Sequence, residues 1–228
     1  MIEDHPLLRI RRKFPRPTAA QVDAFRGQQT GHVVDALGGS GALDARIKPI
    51  GGVRPFCGVA VTCDDGPGDN LATYASLDVV RPGDVVIATA GGFDRTAVIG
   101  DLLLGMMKNA GCAAFVTDGC VRDIAGIRAV GLPCYAAGVT PNSPARNGPG
   151  TIGFPIVCGG TAVGPGDIVV GDEDGVVVVP FARIDEAVTR LAAVKAAEAE
   201  LEAKVKDGLK IPHLLQKLMD AGRFKDVD

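Results

Sequence analysis

The sequence predicts an α/β domain built on parallel strands, and three features carry that expectation. A β-branched run, Val85-Val86-Ile87, is followed by a segment of helical character from Asp101 to Asn109, and then by a second apolar run from Cys112 to Val116. Strand, helix and strand in that order call for parallel pairing through a right-handed crossover. Pro-Gly-Asp occurs at Pro67–Asp69, Pro82–Asp84 and Pro165–Asp167, and the last two copies lead at once into β-branched runs. Proline presets the first corner of a turn and glycine supplies positive φ. The composition is 46% hydrophobic and 4% aromatic with no Trp, so 228 residues form an aliphatic core, enough for one large domain or two small ones.

The elements follow in order. Residues 1–18 read as an arm, because Pro6, Pro15 and Pro17 interrupt regular structure. Thr18 is an N-cap for a helix through about Gln28, and a second helix spans Gly31 to Leu37, closed by Gly38-Gly39. Short β runs follow at Ala45–Ile50 and Cys57–Cys63. Asp64–Asp69 is a turn-rich loop, and Asn70–Leu77 a short helix. Beyond the strand–helix–strand unit, Ile124–Val130 is helical and ends at Gly131, and Leu132–Ala137 is a strand. Thr140–Gly150, rich in Pro, Asn and Gly, is a loop that shapes specificity. Ile152–Cys158, Asp167–Val170 and Gly175–Pro180 are strands, and four consecutive valines at Val176–Val179 imply burial on both faces. A long helix follows Phe181 to about Lys206, Gly208 stops it, and a charged tail remains.

Several function classes are excluded. The net charge is −3, and the one basic cluster, Arg9–Lys13, is short and terminal, so no nucleic-acid footprint is expected. No run reaches membrane-spanning length and no apolar segment opens the chain, so the protein is expected to be cytoplasmic. None of the six cysteines forms a Cys-x-x-Cys pair; buried free thiols are expected. With only His5, His32 and His213, histidine-led zinc chemistry is not expected. Gly-x-Gly-x-x-Gly and Walker patterns are absent.

The candidate site is the stretch Gly91–Asp123. Asp101 follows the first strand and its glycine turn, and Arg122-Asp123 follows the second. In open α/β sheets the ligand crevice lies beyond the carboxyl ends of the strands, so two carboxylates and one guanidinium converge on one rim. Asp101 opens a helix, either as its cap or as a site carboxylate. Arg122 and Asp123 form either an internal ion pair or a site in which the arginine grips a carboxylate and the aspartate ligates a hard cation. A 2-oxo acid suits the second arrangement: its carboxylate meets Arg122 and the N–H groups near Leu102 and Leu103, and its enolate form is stabilised. A Schiff-base route has only Lys48 and Lys108 as central candidates, and Lys108 lies two turns into the helix. On the C-terminal helix an apolar seam runs through Ile184, Val188, Leu191, Val194, Leu201 and Val205, with Glu198 interrupting it. That carboxylate is either solvated near the helix end or directed into a site, such as one on a neighbouring subunit.

Asp101, twenty intervening residues and Arg122-Asp123 resemble the Asp-x20-Arg-Asp signature of the 4-hydroxy-4-methyl-2-oxoglutarate/4-carboxy-4-hydroxy-2-oxoadipate aldolases of the RraA-like family. Val34–Gly38, Pro67–Asn70, Arg81–Val86, Asp118–Asp123 and Gly171–Pro180 are similar to further family blocks. The resemblance implies one RraA-like domain over residues 1–228, with the arm at 1–18 and a C-terminal helical extension at 182–228. Its core is a swivelling β/β/α type with mixed sheets and a long C-terminal helix. It implies a metal-dependent pyruvate aldolase with oxaloacetate decarboxylase side activity, assembled as a homotrimer or homohexamer with the site at a subunit interface. Magnesium or manganese is held by Asp123 directly and by Asp101 through water. Arg122 binds pyruvate, assisted by Gly100 and by the N–H groups of Leu102 and Leu103, and Glu198 from the neighbouring subunit completes the site, with Glu200 and Glu202 as alternatives. Other family members bind and inhibit a ribonuclease without catalysis, and that is the second reading. In one departure from the family, Ala90 stands directly before Gly91-Gly92, where members often carry aspartate.

Overall fold

The structure is a computed structural model that describes residues 6–225 and 227. The first five residues of the expected arm, His5 included, lie outside the described residues, as do Asp226 and Asp228 of the C-terminal extension. The chain divides into two compact units after Leu191. The first contains β1 (Leu8–Ile10), α1 (Ala19–Phe25), α2 (Thr30–Ala36), β2 (Lys48–Pro49), β3 (Phe56–Asp64), α3 (Leu71–Ala75), β4 (Asp84–Thr89) and β5 (Ala97–Ile99). It continues through α4 (Asp101–Asn109), β6 (Ala114–Thr117), β7 (Cys120–Val121), α5 (Ile124–Val130), β8 (Cys134–Ala136), β9 (Gly138–Val139) and β10 (Gly150–Ile152). Then come β11 (Ile156–Cys158), β12 (Thr161–Val163), β13 (Ile168–Asp172), β14 (Gly175–Val179) and the start of α6 (Ile184–Lys206). The second unit holds the rest of α6 and α7 (His213–Asp220).

Strands β3, β4, β6 and β8 pair in parallel in that order. On its other edge the long β3 serves two antiparallel partners, β13 along Phe56–Val59 and β10 at Cys63–Asp64. Successive side chains alternate between faces, and both faces are covered. Val61, Val86, Phe115 and Cys134 pack with Leu103, Leu104, Met107 and Ile127 of α4 and α5. Ala60, Ile87, Val116 and Tyr135 pack with Ile156, Val163, Val169 and Val178 of the strands on the opposite side. Double coverage is why these strands read as unbroken apolar runs. The mixed sheets and the long C-terminal helix match the predicted α/β class.

Local chemistry explains several boundaries. Thr18 caps α1 in a capping box with Gln21. The aspartates of the three Pro-Gly-Asp turns are all buried. Asp84 accepts from its own turn at Arg81 N (2.8 Å) and takes both Arg16 Nη1 (2.7 Å) and Nη2 (2.9 Å), which clamps the arm to the sheet. Asp167 accepts from Gly164 N at 2.7 Å and Phe181 N at 2.8 Å.

Other boundaries differ from expectation. The arm carries β1, which pairs in parallel with β10. The expected strand Ile152–Cys158 is interrupted at Gly153 to Pro155 and becomes the last residue of β10 and the whole of β11, which lie in different sheets. Of Ala45–Ile50 only Lys48–Pro49 is strand. The expected charged tail contains α7, whose Leu214, Leu215, Leu218 and Met219 are exposed. All six cysteines are free and buried. No helix among the described residues is long and apolar enough to cross a membrane.

Candidate active site

A small parallel sheet, β5–β7–β9, builds the site. Ala97 and Ile99 of β5 register with Cys120 and Val121 of β7, which in turn register with Gly138 and Val139 of β9. Parallel neighbours end on the same side, so Gly100-Asp101 leaving β5 and Arg122-Asp123 leaving β7 emerge together. This corrects one step of the sequence argument: the strands that deliver the site residues are β5 and β7, not the central β4 and β6.

The two carboxylates are seated reciprocally. Asp123 Oδ2 lies over the Cα of Gly100, so close that a methyl group there would overlap it. Asp101 Oδ2 lies in the same way over Gly126 of α5. Each aspartate therefore rests on a glycine from the other's strand–helix junction, and a side chain at either glycine would displace a carboxylate. The backbone of Asp123 contributes: at φ 62° it is the only non-glycine residue with positive φ among those described. Aspartate tolerates this left-handed conformation better than most residues.

Arg122 packs beside Gly100 and against Asp123. Its Nε is 3.2 Å from Asp123 Oδ2, and the two side chains are 35% and 45% exposed. Its Nη1 donates to Ser143 Oγ at 2.5 Å. Asp101 is not the cap of α4: the cap is Gly100, which offers no side-chain bond to the first turn. The first helical bond runs from Leu104 N to Gly100 O at 3.2 Å, leaving the N–H groups of Leu102 and Leu103 at the open helix end. The Leu103 side chain is buried in the core, whereas that of Leu102 is exposed.

The donor set suits a hard cation. Asp101 and Asp123 offer carboxylate oxygens, and among the described residues no cluster of three or more His, Cys, Asp or Glu adds further ligands. One or two carboxylates supplemented by water is the usual protein share of a magnesium site. Lys108, by contrast, points away from the rim and donates to Val130 O at 2.6 Å.

Glu198, Glu200 and Glu202 are exposed on the second unit's part of α6. Glu200 pairs with Lys204 at 2.5 Å and Glu202 with Lys206 at 2.6 Å. Three residues around the site were not singled out from the sequence. Gly126 seats Asp101, and Ser143 holds Arg122. Asp118 accepts from Thr89 Oγ1 at 2.9 Å, Ala90 N at 2.8 Å and Gly159 N at 3.3 Å. Ala90 itself is buried in the core on the helix side. Three clefts elsewhere on the surface are lined by residues other than those of the rim, and at the rim the Arg122 and Asp123 side chains are partly exposed.

A family model described as RraA-like, Aldolase/RraA, matches residues 30–178. A Halalkalibacterium halodurans protein, provisionally named a 4-hydroxy-4-methyl-2-oxoglutarate aldolase, is 39% identical over 179 residues, 78% of this chain and 85% of that protein. The solved structure of an RNA-processing inhibitor RraA from Thermus thermophilis is 31% identical with a TM-score of 0.62, covering 67% of this chain and 93% of that one. An uncharacterized protein from Pseudomonas syringae pv. tomato is 26% identical with a TM-score of 0.76, covering 87% and 93%. The family match spans the strands and turns that carry Asp101, Arg122 and Asp123, and the chain belongs to the RraA-like family.

Proposed function

We propose that the chain is a divalent-metal-dependent aldolase that cleaves 4-hydroxy-2-oxo diacids to pyruvate and a second oxo acid, with oxaloacetate decarboxylation as a side activity. The observation that carries this reading is the reciprocal seating of Asp101 on Gly126 and Asp123 on Gly100, with the Arg122 guanidinium against Asp123. Asp123, and Asp101 through water, would hold magnesium or manganese, which supplies Lewis-acid polarisation of the 2-oxo group.

The chain's own groups account for the remaining steps. Arg122 binds the substrate's 1-carboxylate, and the N–H groups of Leu102 and Leu103 add to the positive field at the α4 terminus. In cleavage a base takes the proton of the 4-hydroxyl, the bond between C3 and C4 breaks, and its electron pair passes into the pyruvate enolate. Arg122 stabilises the negative charge that grows there, and protonation at C3 completes pyruvate. Loss of carbon dioxide from oxaloacetate yields the same enolate. Glu198, brought by the C-terminal helix of a second copy in a trimer or hexamer, is the proposed base. The partial exposure of Arg122 and Asp123 supports such an arrangement, since another surface is needed to exclude water.

The test is pyruvate release from oxaloacetate and from 4-hydroxy-4-methyl-2-oxoglutarate, with magnesium and with EDTA. Metal-dependent release that is lost in Arg122→Ala supports the reading; a folded Arg122→Ala protein with near-normal rate refutes it. The likeness to the Thermus RNA-processing inhibitor favours one alternative, a non-catalytic regulator that binds a ribonuclease. Ribonuclease capture unaffected by Asp123→Ala, with no pyruvate release, would establish that alternative instead.

A further inference from the structure

Ser143, the second anchor of Arg122, belongs to the stretch between β9 and β10. Although exposed, this stretch is tied down on both sides of the serine. Before it, Thr140 N donates to Val121 O of β7 at 3.0 Å, and Asn142 O accepts from Ala97 N of β5 at 2.9 Å. After it, Ala145 N donates to Gly68 O at 2.8 Å, and Asn70 N donates to Ala145 O at 3.2 Å. The buried Asp69 carboxylate then accepts from Asn147 N at 2.6 Å and Gly148 N at 3.2 Å. Asn70 meanwhile donates through Nδ2 to Val98 O of β5 at 2.6 Å, two residues before Gly100. The Asp69-Asn70 corner thus fixes both the segment that carries Ser143 and the strand that delivers Asp101.

We propose that Ser143 is a positioning residue for Arg122. A guanidinium has five N–H groups in one plane. Asp123 engages Nε and Ser143 engages Nη1. The two anchors fix the plane and leave three N–H groups, enough for the two parallel bonds by which an arginine grips a carboxylate. Without the hydroxyl only the half-exposed Asp123 pair remains to orient a long, flexible side chain, and the carboxylate grip weakens. This assignment rests on the aldolase reading, in which Arg122 receives the substrate carboxylate.

The experiment compares wild type, Ser143→Ala and Ser143→Thr. It measures pyruvate release from oxaloacetate with magnesium, pyruvate binding by titration calorimetry, and melting temperature. Ser143→Ala is expected to raise KM and weaken pyruvate binding by roughly three- to tenfold, the range for a partly exposed bond to a charged group, with kcat within about twofold and melting unchanged. Ser143→Thr retains the hydroxyl and should stay within about twofold of wild type in every measure. If wild type is active and Ser143→Ala matches it, the assignment is overturned and the aldolase reading stands. A loss of kcat and melting temperature that threonine fails to rescue shows a structural role and also overturns the assignment. A wild type that neither binds nor releases pyruvate overturns both readings together.

Discussion

Asp65 makes the stability of this protein depend on pH in an unusual direction. It follows the end of β3 and is 2% exposed. Thr73 N donates to its Oδ1 at 2.9 Å, and the Thr73 hydroxyl donates to Oδ2. Burial outweighs these bonds and raises the carboxyl from the ordinary 3.8 to about 7, with the neighbouring Asp69 adding to the rise. Between those two values the folded protein holds a proton that the unfolded chain has released. The Asp65 contribution to stability is therefore full below pH 4 and is lost as the pH rises through 7. The interval corresponds to on the order of 4 kcal/mol, a large share of a typical domain's total. Asp65→Asn keeps an acceptor for Thr73 N, offers an amide donor to the Thr73 oxygen, and cannot ionise. Urea unfolding of both proteins at pH 5, 6, 7 and 8 isolates this residue from every other titrating group. Wild type should lose stability relative to the variant across the series, and at pH 8 the variant should be more stable by on the order of 2–4 kcal/mol. Parallel pH profiles for the two proteins would refute the argument, because the Asp65 carboxyl would then titrate alike in the folded and unfolded chains.

Three further outcomes follow from the same structure. Gly126→Ala places a methyl where the Asp101 carboxylate rests; in helix α5 alanine is itself favourable by about 1 kcal/mol, so pyruvate release should fall at least about tenfold while the melting temperature moves by only a few degrees, as kinetics and thermal melts would show. Asp123→Ala should abolish the difference in pyruvate release between magnesium and EDTA, whereas Lys108→Ala, on the far side of α4, should leave it intact. Burial raises the pKa of all six thiols, to about 11 at Cys57 and Cys112 and about 12 at Cys134, so a thiol reagent at pH 8 should modify the native protein slowly and react with six groups once it is denatured.

What was legible in the sequence was short-range or chemically distinctive. The four-valine run Val176–Val179 announced a strand buried on both faces, Thr18 announced a helix start, and Asp101 and Arg122-Asp123 marked the candidate site. The groups that set its geometry were not legible, because they depend on long-range pairing. Strands β5, β7 and β9 are two or three residues long, too short to show a period, and only their mutual register brings Gly100 beside Asp123. The third Pro-Gly-Asp turn was readable as a turn, but nothing local shows that Asp167 also reaches Phe181 N across 14 positions. Ser143 looks like any loop serine until β9 and the Asp69-Asn70 corner place it against Arg122.

This division bears on how the site can vary. On the aldolase reading the carboxylates and the arginine are confined by the chemistry of a hard cation and a 2-oxo acid, and the structure adds two glycines that leave room for them. The segment after β9 is under no such limit: it is exposed, its anchors are mostly backbone groups, and a change at Ser143 leaves those anchors in place. Substitution there can alter how Arg122 presents itself without disturbing the core, whereas a side chain at Gly100 or Gly126 strikes a carboxylate directly. Substrate preference within this architecture is therefore expected to follow the 140–148 segment, and the competence for enolate chemistry to follow the glycines.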